Sequence, residues 1–244
     1  MNATSARTAG TDFIAVCRQR PATYGLLARL FRVEIDRTFL DELVGLRDPA
    51  ATGNALLDEG YRAIARYLGT TWDGTLTELA VDYVRTFIGS GTDGFSAAYP
   101  YESVHVSEKR LLMQDVRDEV RALYLSAGLQ KGTSWNEGED HAALELEYMG
   151  ILAQRAADAL DAGDNAGAVR LLASQRNFLR DHLAVWIPTF ATDMRRFAKT
   201  GLYQGLSLVI EGFVAEDLAF LDEILVDDAE ADDIEAHTGT ETGI

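Results

Sequence analysis

The segment Glu137-Gly-Glu-Asp-His-Ala-Ala-Leu-Glu-Leu-Glu-Tyr-Met149 decides how this chain is read. Asp140 stands at a helix start, where a carboxylate can accept backbone N–H groups and favours the positive end of the helix dipole. Glu145 follows His141 by four residues, so the two share a face and can pair. The same stripe continues as core through Tyr148, Met149 and Leu152. The helix runs from about Glu139 to Leu160 and is closed by Gly163. A second stretch, Leu79-Ala-Val-Asp-Tyr-Val-Arg-Thr-Phe-Ile-Gly89, leads through a glycine-rich loop to Pro100-Tyr-Glu-Ser-Val104. Both join the polar end of a helix to aromatic or carboxylate groups, and neither holds a catalytic constellation. They suggest a surface built to hold something.

Working outward, Tyr24, Leu27, Leu30 and Phe31 mark one face of a helix beginning near Pro21. Asp36 caps a short helix carrying Phe39, Leu40, Leu43 and Val44. Asp48-Pro49 reads as a cap with proline at the first helical position, opening a helix to Leu68 that Gly69 ends. Thr75 starts the next, with Leu76, Leu79, Ala80, Tyr83 and Phe87 on one face. Residues 88–102 form the longest non-helical stretch, and helical periodicity returns from Met113 to Ala127. After the polar connection 130–138 and the long helix, another runs from about Asn165 to His182. A turn at Trp186-Ile-Pro188 then precedes Phe190–Lys199, and Leu202–Leu225 closes the series. No internal repeat and no convincing alternating run interrupts the pattern. The expected architecture is an all-α, single-domain helical bundle: a flexible N-terminus over 1–10, a helical domain over 11–226 and a disordered acidic tail over 227–244.

Composition narrows the function. A chain of 244 residues buries a sizeable core. No apolar run approaches the roughly 18–20 residues of a membrane span, and residues 1–12 lack the apolar core of a secretory signal. The single cysteine, Cys17, excludes an internal disulfide and a multi-cysteine metal cage. Of the net charge of −17, most sits after Lys199, where twelve acidic residues face no Lys or Arg. Nucleic acid is not an expected partner, since a phosphate backbone needs a basic footprint. A cytoplasmic protein is expected.

The short motifs resolve the same way. Gly89-Ser-Gly-Thr-Asp-Gly94 matches a dinucleotide fingerprint but follows a helix instead of a strand, so it reads as a loop. Glu102-Ser-Val-His105 has the spacing of a di-iron ligand pair, but no second pair exists; Glu102 is then an exposed carboxylate and His105 a partly packed ring. A hydrolase needs a nucleophile, a base and oxyanion donors, which no motif here supplies. No enzyme, cofactor or metal is expected. A metal-dependent hydrolase on His141, Glu145 and Glu102 is the minor alternative.

Taken in order, these blocks resemble the TorD/DmsD family of redox-enzyme maturation chaperones. The match begins at Leu26-Leu-Ala-Arg-Leu-Phe31 and continues through Asp82–Gly89, Pro100–Val104, Leu111-Leu-Met-Gln114 and Val120-Arg-Ala-Leu-Tyr124. It ends with Glu137–His141, Trp186-Ile-Pro188 and Phe213–Leu221, covering residues 20–225. The resemblance implies an all-α cytoplasmic chaperone. Its partner would be the twin-arginine leader, the body, or both, of a molybdenum or tungsten oxidoreductase, held until cofactor insertion. A nitrate-reductase-type assembly chaperone for a non-exported subunit is the nearest variant. Carried over by position, the peptide site would involve Tyr83, Thr86, Phe87, Gly91, Tyr101, His105, Asp140 and His141. Carboxylates at Glu102, Glu139 and Asp140 can meet guanidinium groups. Three departures stand out: Gly138 where proline is usual, Ser90-Gly91 where proline and a bulky residue are usual, and His105 where an aromatic is common. A histidine at 105 can respond to pH near neutrality. The long connections 88–102 and 128–138 allow a monomer or a helix-swapped dimer.

Overall fold

The computed structural model describes residues 3–46, 51–89, 96–107, 110–112 and 115–238, with side chains described from 13 to 225 within those ranges. Gly91, the Asp48-Pro49 pair and Met113-Gln114 lie outside them. Among the described residues the chain is helical, without a named strand. The helices are α1 (Ala3–Arg32), α2 (Arg37–Gly45), α3 (Ala55–Leu68), α4 (Thr75–Tyr83), α5 (Glu102–Val106), α6 (Asp115–Ser126), α7 (Ala142–Asp161), α8 (Asn165–Phe178), α9 (Ala184–Phe197) and α10 (Gly201–Thr238).

Helix α7 is the axis. It packs on α1 on one side and α8 on the other, while α10 packs on α3 and α9. Its first half, Ala142 to Met149, is buried almost all round, which is why its pattern is apolar beyond a single stripe. On α1, Tyr24, Leu27, Ala28 and Phe31 face inward. A buried bidentate pair, Arg20 with Asp217 at 2.6 and 2.8 Å, ties α1 to α10, and Tyr24 donates to the same carboxylate. Asp82 on α4 accepts from the backbone N–H groups of Lys199 and Thr200 at 2.7–3.0 Å, covering the start of α10.

Several boundaries differ from the sequence reading. Helix α1 begins at Ala3, with Pro21 inside it. One missing N–H does not outweigh burial of the face that follows. Helix α3 starts at Ala55, capped by the Asn54 side chain, which accepts from Leu56 and Leu57 N–H. Trp186-Ile-Pro188 is not a turn: it lies within α9, and a π-helical turn over Leu179–Leu183 precedes it. That wider turn joins α8 to α9 just upstream of the proline, the kind of adjustment that lets a helix run on through Pro188. The backbone of α10 continues past Leu225 to Thr238. The expected boundaries at Asp36, Leu68, Thr75, Gly128 and Gly163 agree with the structure.

Helices α3 and α10 approach closely at Gly60 and Gly205. A Cβ at Gly205 would lie 2.6 Å from the Gly60 carbonyl oxygen and 2.7 Å from Ile64 Cγ1. Gly205→Ala is therefore expected to destabilise by about 1–3 kcal/mol through overpacking. Gly25→Ala, on α1 with nothing within 4 Å of its Cβ, should instead stabilise by up to about 1 kcal/mol. Denaturant melts of the two variants check this; equal behaviour would mean that α3 and α10 are not held this closely.

Candidate functional site

Residues 100–102 run antiparallel to residues 140–142. Glu102 N–H donates to Asp140 O at 3.0 Å, Ala142 N–H donates to Pro100 O at 2.8 Å, and Tyr101 pairs with His141. Each short segment feeds a helix, and the caps are shared between them. Asp140 does not cap its own helix: its Oδ2 accepts from Ser103 N–H at 3.0 Å, in the first turn of α5. His141 is the cap of α7, its Nδ1 accepting from Ala143 N–H at 3.1 Å. A carboxylate and an imidazole adjacent in sequence thus start two different helices.

Beneath this pairing lies a buried polar chain. Glu102 is not exposed: it is 1% accessible and meets His182 Nδ1 at 3.0 Å. Glu145 does not pair with His141; its Oε2 accepts from Trp186 Nε1–H at 3.0 Å, and it lies beside Glu102. His182 and Trp186, read in the sequence as a helix end and as part of a turn, were not among the expected site residues, although Gln175, Phe178, Leu179, His182 and Trp186 recur at the spacing of an inward helical face.

The other expected residues divide into two groups. Tyr83, Thr86 and Phe87 are buried, Phe87 and its neighbours Phe31, Phe190 and Tyr203 meeting at ring separations of 5.4–6.1 Å. Tyr83 ends α4, and a π-helical turn over Val84–Ile88 carries Thr86 and Phe87. There Gly89 N–H bonds back to Val84 O, and Thr86 O accepts from Ala98 N–H at 2.7 Å, drawing the 96–101 segment onto the helix end. Gly89 sits at φ 66°, and a Cβ there would meet Ala97 at 2.8 Å. Tyr101, Glu139 and His105 form the second group. Tyr101 donates to Glu137 and presents its ring to His141 at 4.9 Å. Glu139 is half-buried between Arg117 at 3.5 Å and Lys131 at 4.0 Å. His105 packs as the aromatic it replaces, stacked on Trp186 with ring centres 5.5 Å apart. Its Nε2 faces Tyr99 O at 2.8 Å, so Nε2 carries the hydrogen. Burial pushes its pKa down to about 4, so it does not titrate near neutrality. His141 goes down to about 3, through burial first and the charge of Arg32 second.

Beside the Glu137–His141 block the surface opens into two adjoining hollows of ≈ 210 and ≈ 190 Å³ that share Tyr124, Leu129, Gln130 and Lys131. The larger reaches Arg32, Trp135 and Glu147; the smaller reaches Glu139. Gly138 is buried just ahead of the helix-starting pair: its carbonyl accepts from His141 N–H, and a Cβ there would come within 2.7 Å of Asp140 Oδ1. Among the described residues, no group of three or more His, Cys, Asp or Glu is placed to hold a metal ion, and no helix is long and apolar enough to cross a membrane.

Residues 54–192 match the family model of the nitrate reductase delta subunit, a span that includes both pairing segments. The chaperone protein TorD of Vibrio cholerae is 32% identical over 198 residues, covering 81% of this chain and 84% of that protein. TorD of Photobacterium profundum is 28% identical over 225 residues, covering 86% and 97%. TorD of Aeromonas salmonicida is 30% identical over 222 residues, covering 86% and 94%.

The buried carboxyl at 145 gives the site a measurable signature. Burial first, then the charge of Glu102, raises its pKa well above the ordinary 4.5. The folded state keeps a proton that the unfolded chain releases, so this group lowers stability as pH rises above about 4.5. His105 and His141 act oppositely: the unfolded chain takes up protons below about 6.5 that the fold refuses, so their share of stability is lost as pH falls from there toward 4 for His105 and toward 3 for His141. Glu145→Gln keeps an acceptor for Trp186 and removes the alkaline decline, which unfolding measured from pH 5 to 8 will show. Glu145→Ala orphans the indole N–H and should cost about 2–4 kcal/mol. Parallel pH profiles for wild type and Glu145→Gln would show that Glu145 is ionised in the fold.

Proposed function

We propose that this chain, which belongs to the nitrate reductase delta subunit family together with the TorD/DmsD maturation chaperones, is a system-specific chaperone for a molybdenum or tungsten oxidoreductase. Its relatives are named chaperones, a non-catalytic role, and the chain is not an enzyme. We place it in the cytoplasm, where it binds the twin-arginine leader, the body of the catalytic subunit, or both, and holds the client until its cofactor is in place. The observation that carries the reading is the relationship to TorD chaperones over more than four-fifths of the chain.

The geometry supports a binding role in a particular way. Tyr83, Phe87, Glu102, Asp140 and His141 are all less than 8% accessible, so in this conformation they shape the site from beneath. The half-buried Tyr101, Glu137 and Glu139 and the adjoining hollows are what a peptide reaches. Their carboxylates suit guanidinium groups, and their aromatic walls suit an apolar stretch. Alanine at Asp140 and His141 together removes two helix caps, so that double variant reports stability before it reports binding.

The match to the nitrate reductase delta subunit favours one second reading, assembly of a catalytic subunit that is not exported. Calorimetric titration with a synthetic twin-arginine leader separates the two. Binding at micromolar concentration or tighter, weakened at least tenfold when both arginines become lysine, is the expected outcome. No binding to the leader, together with co-purification of a client whose leader has been deleted, would move recognition to the client's body.

A further inference from the structure

The cleft beside His141 already holds a guanidinium group, and it belongs to the protein itself. Arg32, in the last turn of α1, lies with its guanidinium carbon 4.9 Å from the centre of the Trp135 ring and forms an ion pair with Glu147 on α7. Trp135 in turn meets the His141 ring at 4.8 Å, so this arrangement sits directly on the helix-starting pair. An aromatic face with a carboxylate at its rim is the chemistry that recognises a planar, delocalised cation.

We propose that Trp135 and Glu147 form an arginine subsite for the client peptide, and that Arg32 is an internal competitor that occupies it until an arginine-bearing segment displaces it. The proposal rests on the chaperone reading and adds which residues take a guanidinium and what controls entry.

Three features make displacement feasible. The Arg32 and Glu147 side chains are 37% and 46% exposed, and pairs so open to solvent hold weakly. Arg32 ends its helix, and the irregular residues 33–36 follow, leaving its side chain a path to solvent. The neighbouring carboxylate of Glu139 is held only loosely, by Arg117 at 3.5 Å and Lys131 at 4.0 Å. Once Arg32 leaves, Glu147 loses the cation that pairs with it here, while Arg117, Arg121 and Lys131 stay on the side of Glu139.

An internal competitor also sets selectivity. A group tethered beside its site competes at an effective concentration on the order of millimolar. A lone arginine does not overcome that, whereas a peptide with adjacent arginines and flanking contacts does. Arg32 thereby discriminates against stray single arginines.

Two measurements test this. In protein labelled with 5-fluorotryptophan, the Trp135 fluorine signal, assigned by Trp135→Phe, is followed during titration with Arg-Arg amide and with Lys-Lys amide. With Arg32→Gln the signal should move saturably at a concentration about tenfold below that needed by wild type, and Lys-Lys should not move it. Arg32→Lys, which keeps the aliphatic stem and the charge, should fall between. A static Trp135 signal, or equal midpoints in wild type and Arg32→Gln, overturns the subsite. In the second measurement, calorimetry with the twin-arginine leader should show Arg32→Gln binding about five- to tenfold more tightly, an advantage removed by adding Glu147→Gln. A leader that binds wild type but is unaffected or weakened by Arg32→Gln overturns the subsite and leaves the chaperone reading standing. A leader that binds no form, while Arg-Arg amide still moves Trp135, supports the subsite and removes leader recognition.

Discussion

The single antiparallel bridge between 100–102 and 140–142 is the constraint on which this end of the molecule depends. It is too short to count as a sheet, yet it fixes where α5 and α7 begin. Because the Asp140 carboxylate caps α5 and not α7, the loop before α7 cannot move without uncovering the start of a helix far away in sequence. The π-helical turn at Val84–Ile88 depends on the same contact from the other side. Its Thr86 carbonyl holds Ala98, two residues ahead of the paired segment. Loop, turn and two helix starts are one mechanical unit.

Buried polarity recurs at the joints. Arg20 with Asp217, Asp82 with the backbone at Lys199–Thr200, and the chain Trp186–Glu145–Glu102–His182 each link elements distant in sequence. Such groups lose hydration on burial, so their net contribution to stability is small, but an unsatisfied partner costs heavily. A slide of α7 along α9 would strand Glu145 and Trp186 together, and the cost of that rejects alternative packings. Rigidity beneath the site and exposure above it follow from this division. The deep residues hold positions, and the half-buried ones around the hollows meet solvent.

The sequence was sufficient for the class and for most of the elements. Helical spacing in α2, α4, α7 and α10, the cap at Asp36, the start at Thr75, and the glycines at 128 and 163 all act through near neighbours, so local pattern determined them. The order of the motif blocks likewise pointed to the family that the relatives bear out. Local signals failed where a distant element decided the outcome. Pro21 and Pro188 read as boundaries because proline breaks an isolated helix, but the packed faces around them carry the helix through.

The same distinction runs through the site. The chain marked Tyr101, Glu102, Glu139, Asp140 and His141 for one place, since they stand at the ends of periodic segments, and the fold sets those two segments side by side. Which atom each side chain serves was not. Asp140 looked like the cap of the helix that follows it, and Glu145 like the partner of His141, because both readings use the nearest residue in sequence. In the folded chain Ser103 and Trp186 are nearer, and they take those bonds. Glu102 and His182, eighty positions apart, meet only after α5 and the turn between α8 and α9 have packed. Sequence alone determined the helices, their order and the family, because periodicity and caps are local. Tertiary structure alone decided the partners of the buried acids, because each satisfies a group whose burial comes only with folding, and the placement of Arg32 over Trp135, because elements distant in sequence meet only once α1 has packed on α7.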